Sequence, residues 1–220
     1  MIAKTAKSLT VFQRTPNWAI PLLNGKIAPE EMEDIRKAYP ETLKRINQTR
    51  MGFVHDANYS DSIWDYTPEE REAFWEALYA LPGFPMWLCN YKEILIDEKA
   101  NALVTEFVAK KIKERVHDQW TADKLVPKNH GMGSPMVEAI CTDPCVGFGT
   151  RRVPMETFYY EAYNQDNVRL IDLLETPIER VLPDGIKTTQ ETFEFDMLVY
   201  ATGFDASKRR WHCVPSARMC

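Results

Sequence analysis

Three short stretches bring together residue types that do chemistry. Arg14 and Thr15 lie inside "LTVFQRTPNWAIP", Leu9 to Pro21, where a strand over Ser8–Gln13 breaks at Pro16. At the end of the second strand of a doubly wound dinucleotide fold, an acid accepts from the 2′-hydroxyl of NAD. An arginine there accommodates the 2′-phosphate of NADP. Arg14 has no acid near it in sequence, and its planar fork bonds phosphate oxygens in pairs. A solvated arginine after a strand is the alternative. The second stretch is "GFGTRRVP", Gly147 to Pro154. Arg151 and Arg152 are adjacent and cannot share one direction, so they serve two partners, unless both are solvated cations. The third is "DMLVYATGFD", Asp196 to Asp205, an apolar run ending in Ala-Thr-Gly. Gly203 there lets another backbone or a flat ligand approach closely.

The elements that would position these residues fall into a strand, a helical block and more strands. From residue 29 to about 126 the pattern is helical. Pro29-Glu30-Glu31 opens the first helix with acids in its first turn. Thr67-Pro68-Glu69-Glu70 is a capping box, and Phe74, Leu78 and Leu81 follow at helical spacing until Pro82-Gly83. Asp97 starts another helix, with Leu103, Phe107, Val108 and Ile112 on one face and a Glu106/Lys110 pair. Trp64, Trp75, Trp87 and Trp120 are expected in the core. "METFYYEAYNQD" suggests helix, "NVRLIDL" (167–173) is a strand, and Ile178–Thr188 is a hairpin turning on Pro183-Asp184-Gly185. Phe193–Asp205 is expected as one strand, its run Met197–Tyr200 buried on both faces as in a parallel sheet.

Composition narrows the function classes. The 220 residues are 45% apolar and 27% charged with net charge −5, an ordinary balance that argues against a nucleic-acid binder. Residues 1–27 nevertheless carry Lys4, Lys7, Arg14 and Lys26 and no acid, which suits an anionic ligand or a solvated basic end. No run of eighteen apolar residues could span a membrane, and no signal-peptide core is present. Cys141 and Cys145 lack zinc-ligand spacing and a histidine pair, so no metal is expected, and the five cysteines fit a reducing, cytoplasmic setting.

Taken together, "RTPNW", the twin-arginine loop and "EFDMLVYATGFDA" resemble the flavin-dependent Baeyer–Villiger monooxygenases, relatives of the flavin-containing monooxygenases. "PGFPMW" and "TADKLVPKNHG" in the helical block are similar to the same enzymes. The resemblance covers about residues 3–131 and 148–206. It implies an α/β fold: an incomplete doubly wound (Rossmann-like) NADPH-binding domain interrupted by an all-helical insertion. It implies FAD and NADPH as cofactors, with a small ketone and O2 as substrates. Arg14 and Thr15 match the pair contacting the NADPH 2′-phosphate, and Arg151 matches a basic residue assisting it. Arg152 matches the active-site arginine over the flavin, a fixed cation stabilising the anionic flavin peroxide and the intermediate it forms with a ketone. Thr202, Gly203 and Asp205 match the cofactor-proximal motif at the crossing to the flavin domain.

The sequence also departs from that family. Neither glycine-rich dinucleotide loop is present, and residues 2–7 resemble the end of the helix that follows one of them. Residues 132–147 and 207–220 match nothing expected and hold four of the five cysteines. They read as a retained intron and an out-of-frame tail; a divergent loop and tail is the alternative. The expected parts are therefore 1–27 (second strand of the NADPH domain), 28–131 (helical insertion), 132–147 (foreign insert), 148–206 (return and linker) and 207–220 (aberrant tail). The isolated chain is expected to hold no FAD stably and to turn over nothing. A nitrogen- or sulfur-oxidising flavin monooxygenase, or a non-catalytic fragment, are the competing readings.

Overall fold

The structure is a computed structural model that describes residues 2–49, 52–55, 61–127, 147–149 and 152–201. It is α/β and divides into two compact units, residues 1–172 and 173–220. The first unit opens on a 3-10 turn over Ile2–Lys4, followed by β1 (Leu9–Gln13) and the short β2 (Ile20–Pro21). Helices α1 (Pro29–Ile46), α2 (Pro68–Tyr79), α3 (Pro85–Leu88), α4 (Glu98–Arg115) and α5 (Gln119–Leu125) follow. The unit closes with β3 (Met155–Glu156) and β4 (Val168–Asp172). The second unit contains β5 (Ile178–Leu182), β6 (Gly185–Thr188) and β7 (Thr192–Glu194), an antiparallel meander in the order β5-β6-β7.

Local chemistry explains the helix boundaries. Thr67 and Glu70 close a reciprocal capping box at α2: Glu70 N–H donates to Thr67 Oγ1 at 3.3 Å, and Thr67 N–H to Glu70 Oε2 at 2.8 Å. Asp97 caps α4 by accepting from Lys99 N–H at 2.8 Å, and Asp118 caps α5 by accepting from Thr121 N–H at 2.8 Å. The expected Glu106/Lys110 pair does not form. Lys110 reaches instead to Glu72 on α2, 2.7 Å away, because an exposed i,i+4 pair is worth little against a crossing partner. "METFYYEAYNQD" forms β3 and a 3-10 turn over Glu161–Asn164 rather than a helix, since β2 supplies a parallel partner for its first residues.

One apolar core runs through the first unit from Trp18 to Leu170. It includes Ile63, Trp75, Met86, Val104, Ile112 and Tyr160, so the helices and the flanking strands share it. Burying such side chains contributes about 1.5–3 kcal/mol each. Of the four tryptophans expected there, Trp75 is buried and Trp87 packs at its edge, while Trp64 and Trp120 are about half exposed. Cations cover those two: the Arg71 guanidinium lies 6.0 Å from the Trp64 ring and Lys124 Nζ lies 5.6 Å from the Trp120 ring. The long strand expected over Phe193–Asp205 is also corrected. Pairing ends at Glu194, and Met197, Val199 and Tyr200 are exposed because no described strand lies beside them to continue a ladder. Residues 202–205 of that stretch lie outside the described residues.

Two buried polar clusters join helices to the returning chain. Asn101 Nδ2 donates to the carbonyls of Ile94 and Phe148, each at 2.8 Å, and Phe148 N–H donates to Thr105 Oγ1 at 2.9 Å. Gly147 packs so closely there that a Cβ would collide with Asn101 Oδ1. At the end of α4, Arg115 makes a bidentate pair with Glu161 at 2.6 and 2.9 Å and donates to Tyr79 Oη at 3.1 Å. Its guanidinium also lies 5.0 Å from the Tyr160 ring and 2.7 Å from Glu156 Oε1. Charge rather than a well-aligned hydrogen bond compensates that buried carboxylate oxygen.

The Arg115 hydrogen bond holds the Glu161 carboxyl below its usual pKa, despite the opposing effect of burial. A depressed carboxylate stabilises the fold above its unfolded pKa of about 4.3 and loses that contribution as pH falls through the lower folded value. Glu161→Gln is therefore expected to narrow the gap between urea midpoints at pH 6 and pH 3. An unchanged gap would show that this pair is not part of the acid response.

Candidate functional site: the carboxyl ends of two parallel strands

β1 and β4 run parallel, with Leu9 opposite Val168 and Gln13 opposite Asp172. Ligands of α/β sheets bind beyond the carboxyl ends of such strands. Pro16 has no N–H for a ladder and fixes its own φ, so the chain leaves the sheet after Gln13. Arg14 and Thr15 therefore sit just past the carboxyl edge, and both are exposed. Among the described residues Arg14 makes no ion pair, which leaves its guanidinium open to an outside anion.

Behind that edge lies a pair the sequence did not reveal. Lys124 Nζ is 2.6 Å from Asp172 Oδ2, and both side chains are largely buried, at 13% and 9% exposure. Gln13 Nε2 donates to the main-chain carbonyl of Lys124 at 2.8 Å, which seats the end of α5 against the end of β1. The strand-end acid Asp172 is thus balanced by an internal cation and does not oppose an anion at Arg14. Sequence spacing gives no sign of this, because the partners lie 48 residues apart.

Arg152 is exposed and stands three residues before β3. The loop in front of it is anchored: Trp87 Nε1 donates to Gly149 O at 3.2 Å, and Gly149 takes φ +80°, which other residues adopt only with strain. Phe148 meets Trp18 edge-on at 6.4 Å, and Ile20 N–H donates to Pro154 O at 3.1 Å. Leu22 N–H donates to Glu156 O at 2.8 Å. The structure therefore runs the segment that follows Arg14 and Thr15 alongside the segment that carries Arg152. Arg151, Thr202, Gly203 and Asp205 lie outside the described residues, as do the expected insert up to residue 146 and the expected tail. Among the described residues no helix is long and apolar enough to cross a membrane, and no cluster of three or more His, Cys, Asp or Glu could hold a metal ion.

No protein-family profile matches the chain. Individual relatives do. The 2-oxo-Δ3-4,5,5-trimethylcyclopentenylacetyl-CoA monooxygenase of Pseudomonas putida is 43% identical over 204 residues, 93% of this chain and 34% of that protein. A Baeyer–Villiger monooxygenase of Pseudooceanicola batsensis is 31% identical over 93% of this chain and 34% of its own length. Over that third, the chain is similar to a Baeyer–Villiger monooxygenase. Among solved structures, FAD-bound OTEMO superposes with a TM-score of 0.81 at 43% identity, covering 93% of this chain and 35% of that one. An NADP-bound steroid monooxygenase gives 0.80 at 32% identity, covering 93% and 36%. The chain thus spans about a third of the length of the Baeyer–Villiger enzymes it matches.

Replacing Lys124 with methionine would leave Asp172 buried without its lysine, a loss expected to cost about 3–5 kcal/mol. The double variant Lys124→Met/Asp172→Leu should recover most of that loss. Urea unfolding of the wild type and the single and double variants checks it; a double variant as unstable as the single one would contradict the pairing.

Proposed function

We propose that this chain is a segment of an FAD- and NADPH-dependent monooxygenase that inserts one oxygen atom from O2 beside a ketone carbonyl. In this reading residues 1–27 and 148–206 belong to an incomplete doubly wound NADPH-binding domain, and residues 28–131 are a helical insertion within it. Residues 132–147 and 207–220 are pieces foreign to that plan. The observation that carries the proposal is the pairing of segments: Arg14 and Thr15 at the carboxyl end of β1, beside a chain segment that presents Arg152.

The described residues fit a nucleotide phosphate. Arg14 and Thr15 offer a guanidinium fork and a hydroxyl at an exposed strand end, and the nearby acid Asp172 is already balanced by Lys124. Arg151 would add a second cation to that phosphate. When bound, NADPH supplies hydride and flavin supplies the oxygen chemistry. Arg152 is exposed, and its guanidinium would suit negative charge developing on a substrate oxygen. Thr202, Gly203 and Asp205 would allow close approach of the cofactor rather than carry chemistry. This requirement for a cation at a developing oxyanion favours ketone oxidation over nitrogen or sulfur oxidation.

A chimera tests the proposal. Residues 2–206 replace the corresponding third of the Pseudomonas putida relative, and the product is assayed for flavin content, NADPH oxidation and lactone or ester formation from a ketone panel. Oxygenated product is expected, and Arg152→Ala in the chimera should abolish it, by more than about a hundredfold, while flavin reduction by NADPH persists. A folded, flavin-loaded chimera that makes product equally well with Arg152→Ala would overturn the assigned role. The 220-residue chain alone is expected to purify colourless and inactive.

A further inference from the structure

Helix α1 spans eighteen residues and buries none of them. Met32, Ile35, Tyr39, Leu43 and Ile46 recur along it at steps of three and four, so they form a single apolar stripe. Glu33, Asp34, Lys37, Glu41 and Lys44 fall on the opposite face. Three of the five apolar side chains are open to solvent: Ile35 is 37% exposed, Tyr39 50% and Leu43 60%. We propose that this stripe is where two copies of the chain meet, α1 lying antiparallel against the partner's α1. The inference uses no residue of the strand-end site and stands whether or not the monooxygenase reading holds.

The helix needs that packing. Acids in its first turn and bases in its last suit the helix dipole, but Ala28 at the N-cap supplies no side-chain cap. Pro40, inside the helix, removes a backbone donor from its middle. An exposed helix of this length is marginal in water, and in proteins most helical stability comes from burying an amphipathic face. No residue of α1 is buried, so the face that should hold it in place is still available.

The stripe complements itself. Ile35 and Leu43 each lie four positions from Tyr39, and Met32 and Ile46 each lie seven. A two-fold axis at Tyr39 therefore sets Ile35 against the partner's Leu43, Met32 against the partner's Ile46 and Tyr39 against its own copy, the isologous pattern of a closed dimer. Charge fixes the direction. The first turn carries Glu30 and Glu31, and the last carries Lys44 and Arg45. Antiparallel helices bring acid beside base at both ends, whereas parallel ones would set acid against acid and base against base. Lys37, in the middle, is paired within its own helix, 3.6 Å from Glu33 and 3.3 Å from Asp34. A membrane surface fits less well. Arg36, Lys37, Lys44 and Arg45 are outnumbered in α1 by its acids, and an anionic bilayer selects a basic polar face.

Analytical sedimentation of the 220-residue chain over a concentration series tests the proposal. A monomer–dimer equilibrium is expected, dissociating at ~10–100 µM, because one helix from each copy makes an interface at the small end of those that bind specifically. Leu43→Lys should weaken the dimer at least about tenfold while the near-ultraviolet circular dichroism of the buried tryptophans is kept, since Leu43 is exposed. Met197→Lys, at an exposed apolar side chain of the second unit, should leave the dimer unchanged. Glu31→Lys alone and Arg45→Glu alone should each weaken it about threefold or more, and an equimolar mixture of the two variants should recover the wild-type affinity. A chain that stays monomeric throughout that range would overturn the pairing, as would a monomer that instead binds vesicles of phosphatidylcholine and phosphatidylglycerol. So would a dimer that survives Leu43→Lys, one equally weakened by Met197→Lys, or charge reversals that change nothing or are not rescued by mixing.

Discussion

The buried guanidinium of Arg115 is the constraint from which the first unit takes its form. Burial works against its charge, and the hydrogen bonds to Glu161, with Tyr79 alongside and the ion pair with Glu156, outweigh that and raise its pKa further. Removing either side of such a cluster would leave an uncompensated charge in the interior. The cluster joins the last turn of α4 to β3 and to the 3-10 turn at Glu161. Tyr160, stacked on the guanidinium, points its hydroxyl at Ala19 O. Helix, returning strand and the chain after Arg14 are therefore linked through Arg115 and the Tyr160 stacked on it. A site assembled from residues more than a hundred positions apart requires such a clamp, and the Asn101 network repeats the device near the start of α4.

The two carboxyl-edge features then divide the electrostatic work. Lys124 absorbs the charge of Asp172 inside the unit, while Arg14 and Arg152 stay at the surface, open to solvent. Of the described strand-end residues, the acid Asp172 is paired with Lys124.

Local signals in the sequence were legible and distant ones were not. Thr67 and Asp97 cap their helices as read, because a cap needs only the next three residues, while the cap at Asp118 went unread. Ser8–Gln13 and Asn167–Leu173 showed as strands from their β-branched and apolar content, and the strands that form there, β1 and β4, pair in parallel. Arg115–Glu161 and Lys124–Asp172 could not be read, since each joins residues more than forty positions apart. The apolar run Met197–Tyr200 misled for a related reason. Composition states that a segment could be buried between neighbours, and the neighbours themselves are what decide it. Trp64 and Trp120 were assigned to the core by size alone, whereas a cation over the ring serves an aromatic side chain nearly as well at the surface. For the site itself, Arg14, Thr15 and the twin arginines stood out as residue types, and the fold supplied the adjacency of the segments that carry Arg14 and Arg152.

The most direct measurement is the affinity of the chain for 2′,5′-ADP compared with 5′-ADP, by calorimetry at fixed salt, in the wild type and in Arg14→Gln. A strand end selective for the 2′-phosphate predicts that 2′,5′-ADP binds at least about tenfold more tightly, and that Arg14→Gln removes most of this preference while leaving 5′-ADP unchanged. Equal affinity for the two nucleotides in the wild type, or a preference that survives Arg14→Gln, would contradict the account.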